Sequence, residues 1–151
     1  MNWYGVLKVA HVLSAIVWIG GGAAFSILMA RLLRAGDRAT LAPVLPQLTR
    51  TMQAIGGPAA GLVLLTGIAM VVVGRLTFRS LWIGLGFGGI IVLGAFGGLV
   101  MSKRLATLEQ AVASGDDAAL ALAGSRARRA SILLLAIMSS IVVVMILKPT
   151  V

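Results

Sequence analysis

Four long stretches free of charged side chains divide this chain of 151 residues: Val9 to Ala30, Thr51 to Gly74, Ser80 to Ser102, and Ala130 to Leu147. A helix needs about 20 apolar residues to cross a hydrocarbon core about 30 Å thick, and each stretch is of that order. All are too long for buried strands, and lipid offers the backbone no hydrogen-bond partners, so helix is the conformation that satisfies every peptide group internally. The expected fold is therefore all-α: an integral membrane four-helix transmembrane bundle. It forms a single domain over residues 1–151, with helices near residues 5–33, 51–74, 80–104 and 129–147. The lipid bilayer is the partner this fold requires.

Composition agrees. Hydrophobic residues make up 60% of the chain and charged residues 11%, against about 25% charged in soluble domains. The net charge of +9 reflects basic residues gathered where apolar runs end, as expected of residues that set topology and meet anionic headgroups. No basic motif with interleaved aromatics suggests nucleic acid binding. The absence of cysteine removes disulfides, thiolate metal sites and cysteine nucleophiles. The four carboxylates, Asp37, Glu109, Asp116 and Asp117, all fall outside the spans. This argues against proton-driven transport through an intramembrane acid and against hydrolysis by a Ser/His/Asp group.

Orientation follows from the distribution of Lys and Arg. Arg31, Arg34, Arg38, Arg50, Lys103, Arg104, Arg126, Arg128 and Arg129 lie on one side, and Lys8, Arg75, Arg79 and Lys148 on the other. By the positive-inside rule, the segments 34–50 and 103–129 are cytoplasmic and both termini lie on the outer side of a cell membrane. The start, Met1-Asn2-Trp3-Tyr4-Gly5, lacks the basic region of a signal peptide, so the first span reads as a retained helix. Trp3 and Tyr4 then sit at an aromatic belt with Lys8 snorkelling to the headgroups.

The connection at residues 75–79 is short enough to force a tight antiparallel hairpin. Residues 37–47 start with a turn and contain Pro43 and Pro46, and Leu41, Leu45 and Leu48 are expected to lie on the membrane surface. Lys103 to Ala113 reads as a helical extension of the third span, broken at Ser114-Gly115, with Asp116 as the next N-cap. GxxxG spacings occur at Gly57/Gly61, Gly84/Gly88 and Gly94/Gly98. Such spacings let backbones approach closely, within one chain or in a homo-oligomer through the Gly-rich helix faces, or leave room for a flat cofactor.

The one ionisable side chain inside a span is His11, and such groups are functional candidates. Spacings of three, four and seven place Lys8, Ala15, Trp18, Gly22, Phe25 and Met29 on its face of the helix. A histidine here could equally be hydrogen-bonded to a neighbouring helix with no ligand.

The run Trp3-Tyr4-Gly5-Val6-Leu7-Lys8-Val9-Ala10-His11, continued by Trp18-Ile19-Gly20-Gly21, resembles the first helix of the CopD-like membrane families. These comprise the copper resistance protein D domain, the DUF2269 family and the HemJ-type protoporphyrinogen oxidases. The shared pattern is Lys-x2-His-x6-Trp-x-Gly/Ala-Gly, and DUF2269 is the nearest in size and loop style. The resemblance implies that His11 is a haem or metal ligand, with Lys8 as its basic neighbour and Trp18 beside the cofactor. Haem b, or alternatively copper, is then the expected cofactor, and a structural or assembly role without cofactor is the remaining expectation. A second histidine of the HemJ type is missing from the third helix. Met70 and Met145, both at the depth of His11, are the candidate second ligands, since thioether ligates haem iron and Cu(I); Met29, Met52 and Met101 fall toward the opposite side.

Overall fold

A computed structural model describes residues 2–77 and 79–149. Four helices are long and apolar enough to cross a membrane: α1 (Trp3–Ala35), α2 (Arg38–Val73), α3 (Leu81–Ser114) and α4 (Asp117–Leu147). Each helix is more than 30 residues long, or upwards of about 45 Å at ~1.5 Å per residue. They therefore project beyond a core about 30 Å thick. The projecting turns lie at the end that carries Arg31, Arg34, Arg50, Lys103, Arg104, Arg126, Arg128 and Arg129, all exposed. We call it the basic end and the opposite one the terminal end.

Short side chains start and stop these helices. Asn2 accepts from the Gly5 N–H at 3.1 Å, Asp37 from the Ala39 N–H at 3.0 Å, and Asp116 from the Ala118 and Ala119 N–H groups at 2.8 and 3.1 Å. Such caps satisfy donors with no intrahelical partner. The Thr40 hydroxyl, then the Ala39 N–H, hold the Asp37 carboxyl below the usual carboxylate range. Its capping contribution is thus present above the ordinary carboxylate pKa and fades as pH falls through the lowered value. Gly36 and Gly115 take left-handed conformations at φ 68° and 77°, which glycine adopts without a Cβ penalty. The break at Ser114-Gly115 and the cap at Asp116 match the sequence expectation.

The helices extend further than expected at the basic end. Residues 38–50 form the first turns of α2 in place of a connecting segment, and 117–129 are likewise helical, so the α1–α2 link shrinks to Gly36-Asp37. Pro43 and Pro46 lie inside α2. The carbonyls they leave without an N–H, Ala39 and Ala42, belong to exposed residues outside the apolar run, where water is available. Leu41 and Leu45 do not lie on a membrane surface. They are 1% and 0% exposed, in a core with Phe25, Met29, Leu105, Leu108, Val112 and Ala127, and Leu48 packs against that core. Water drives apolar burial there, whereas lipid offers little reward for it. Accordingly Leu13, Ile16, Leu65, Ile91 and Ile132 on the spans remain exposed.

The helices form an up-down ring in which α1 packs on α2 and α4, and α3 on α4 and α2. α2 meets α3 through residues 81–95 and 102–114, but not through Phe96–Met101, where α3 widens into a π-helix. There the Ser102 N–H bonds to the Gly97 carbonyl, five residues back, and the Ser102 hydroxyl takes up the Gly98 carbonyl.

The close-contact glycines are not those of the GxxxG spacings. A Cβ at Gly86 would overlap Met145 Cε, and one at Gly89 would meet Ile141 Cδ1 at 2.5 Å. By contrast, Gly57, Gly61, Gly84, Gly88, Gly94 and Gly98 face open space. The α3–α4 contact needs small residues three apart, on the ridge that α4 covers, and leaves the four-residue spacings on the outer surface.

Candidate functional site

His11 sits in the third turn of α1, about one helical turn inside Lys8, and faces α2. Its Nδ1 is 3.0 Å from Thr66 Oγ1, and a Cβ at Gly67 would meet the ring Cε1 at 3.4 Å. The imidazole edge therefore lies in van der Waals range of α2 at Gly67. The antiparallel α1–α2 register continues to the terminal end, where the Tyr4 ring lies against Gly74.

The Thr66 hydroxyl lies within hydrogen-bond reach of the Leu62 carbonyl, of the Val63 carbonyl at 3.2 Å and of His11 Nδ1, and has one proton to give. In the tautomer with the proton on Nδ1, the ring donates to Thr66 Oγ1 and the hydroxyl donates to its own helix. A neutral imidazole carries one N–H, so in that tautomer Nε2 keeps its lone pair. Metal-ligating histidines are oriented in this way, with one ring N–H held by an outer acceptor and the other nitrogen free to ligate.

The other candidate residues divide into two groups. Met70 is one turn from Thr66 on the same face of α2 and is partly buried. Lys8 is exposed and Trp18 partly buried, one and two turns from His11. Met145, however, places its methyl group against Gly86 in the α3–α4 contact, while His11 faces α2. The stripe of α1 is likewise shared among neighbours: Gly22 packs against Leu135 and Met138 of α4, and Phe25 and Met29 enter the basic-end core. Among the described residues no group of three or more His, Cys, Asp or Glu side chains could form a closed metal cage. The donor set offers one imidazole, with the Met70 thioether one turn from Thr66 on α2. It does not fit a multi-carboxylate or thiolate site.

Sequence reading missed Thr66. A threonine within an apolar run has no distinguishing pattern, since Ser and Thr commonly satisfy themselves on the preceding turn; its role depends on the α1–α2 register.

A family model described as "Predicted integral membrane protein (DUF2269)" matches residues 5–149. No curated protein and no solved structure matches the chain.

Proposed function

From the premise that the chain belongs to the DUF2269 family of predicted integral membrane proteins, we propose that it is a membrane-embedded, redox-linked haem- or metal-binding protein with His11 as principal ligand. The observation that carries this reading is the Thr66 contact: Thr66 Oγ1 lies 3.0 Å from His11 Nδ1, and the tautomer that places the ring proton on Nδ1 leaves Nε2 as a free donor atom. His11 Nε2 would ligate the metal, and Met70 is favoured over Met145 as a second donor because it shares the α2 face with Thr66. Lys8, exposed toward the terminal end, would pair with a haem propionate at headgroup depth. Trp18 would flank the group on the same face of α1. Haem b would supply one-electron chemistry, and copper bound by imidazole and thioether is the alternative.

The membrane orientation belongs to the same proposal. The projecting basic end faces the cytoplasm and both termini face outward, as the excess of Lys and Arg requires. Because Gly84 and Gly88 meet nothing within the chain, this face of α3 suits a second copy in a homo-oligomer. Absorption spectroscopy and metal analysis of mildly extracted protein, reconstituted separately with haem and with Cu(I), test the ligand reading. A Soret band indicates haem, and stoichiometric copper without one indicates the copper alternative. Protein that takes up neither is left with the assembly role.

A further inference from the structure

A cavity of about 220 Å³ opens between α2 and α3 at the basic end, where Thr49 and Arg50 of α2 face Ser102 and Glu109 of α3. It lies about 25 Å along α2 from Thr66, at ~1.5 Å per residue, and shares no residue with the His11 site. Thr49 is 8% exposed, and its Oγ1 is buried without a hydrogen-bond partner. Among the described residues it is the buried side-chain polar atom without a partner. Thr66, Thr107, Ser26 and Ser140 each donate to the carbonyl four residues back, the usual resort of a helical hydroxyl. Thr49 does not, and an unmet buried hydroxyl is costly.

One water would satisfy Thr49, but the cavity far exceeds the ~30 Å³ that a water occupies in the liquid. Its walls carry opposite charges. Arg50 on α2 and Glu109 on α3 both line it, yet the ion pair among the described residues is Arg38–Asp117, and these two are not joined. Their depth is also defined. Thr49 and Arg50 immediately precede the apolar run of α2 and Ser102 ends that of α3, which places the cavity at the level of lipid headgroups.

We propose that this cavity binds a phosphoethanolamine group, with its phosphate on Arg50 and the Thr49 hydroxyl and its ammonium on Glu109. An anion alone would leave Glu109 facing like charge, and a cation alone would do the same to Arg50, whereas a zwitterion offers a partner to each. The group would come from an aminophospholipid in the leaflet or from the free head group.

The test is native mass spectrometry and thermal unfolding of the purified full chain with phosphatidylethanolamine, phosphatidylcholine or free O-phosphoethanolamine. Phosphatidylcholine keeps the phosphate but cannot donate a hydrogen bond to Glu109. Phosphatidylethanolamine is expected to bind about tenfold tighter than phosphatidylcholine, the worth of one charge-assisted hydrogen bond. Glu109→Gln should erase that preference, and Arg50→Gln should weaken both lipids. Thr49→Val, which removes the unmet hydroxyl at nearly constant volume, should raise the unfolding temperature of lipid-free protein and reduce the gain from lipid. A preference for the lipid alone identifies the leaflet as the source, and an equal shift with free O-phosphoethanolamine identifies the soluble group. Equal binding of the two lipids with no response to the free group, or a preference unchanged in Glu109→Gln, would overturn the assignment.

Discussion

His11 and Thr66 meet across the α1–α2 interface, Nδ1 to Oγ1 at 3.0 Å, and the threonine oxygen also reaches the carbonyls of Leu62 and Val63 on its own helix. With the ring proton on Nδ1, Thr66 is the acceptor and Nε2 is the lone-pair atom. The ring edge lies in van der Waals range of Gly67. Replacing Thr66 with valine keeps the shape and removes the acceptor. Outer acceptors of this kind are worth about ten- to hundredfold in metal affinity, so Thr66→Val should weaken cofactor retention by that order without ejecting α2 from the membrane. Titration of the reconstituted variant with haem or Cu(I) measures it, and wild-type affinity would remove Thr66 from the site.

The glycines of α3 separate into two sets with opposite expectations. Gly89→Leu drives a side chain into Ile141, which is β-branched and cannot swing aside, and should cost ~1–3 kcal/mol by overpacking. Gly86→Ala should cost less, because the atom it meets is the flexible end of Met145. Gly88→Leu enters open space and should leave the isolated bundle as stable as wild type while disrupting a homo-oligomer built on that face. Thermal unfolding in detergent reads the first effect and cross-linking in membranes the second.

The largest cluster of buried apolar side chains lies at the basic end. Leu45 is fully buried in the basic-end core, so Leu45→Ala should destabilise by ~2–5 kcal/mol. Leu13→Ala, on the exposed face of α1, should change unfolding in detergent little. Comparable losses for the two would mean that the core does not dominate stability.

Much of this organisation was legible in the sequence. Uncharged length marked the four helices, and Asp116 with Gly115 marked a helix junction. The basic end was misread because Pro43 and Pro46 argue locally for a loop, while the Leu41/Leu45 pairing that makes the segment helical acts through Leu105 and Leu108, sixty residues away. His11 was legible as the one ionisable group in a span. Its partner was not, since Thr66 acquires a role only from helix register. The glycine spacings indicated close packing somewhere, but GxxxG specifies a surface and not which neighbour covers it. Gly86 and Gly89 do that work because Met145 and Ile141 happen to face them.

Sidedness can be checked directly. A reporter that is active only in the cytoplasm, fused after Val151, should be silent, and the same reporter inserted at Gly115 should be active, if the proposed orientation by the positive-inside rule holds. The reverse pattern would invert the bundle.

The ligand role of His11 is tested most directly by the absorption spectrum and metal content of His11→Ala beside wild type, both extracted mildly and reconstituted with haem or Cu(I). Insertion depends on the apolar runs, so the variant should reach the membrane with four helices intact. It should retain no cofactor, while wild type holds a stoichiometric complement of one of the two. A full complement in His11→Ala, or none in wild type with either ligand, would contradict the account and leave His11 as a packing residue hydrogen-bonded to Thr66.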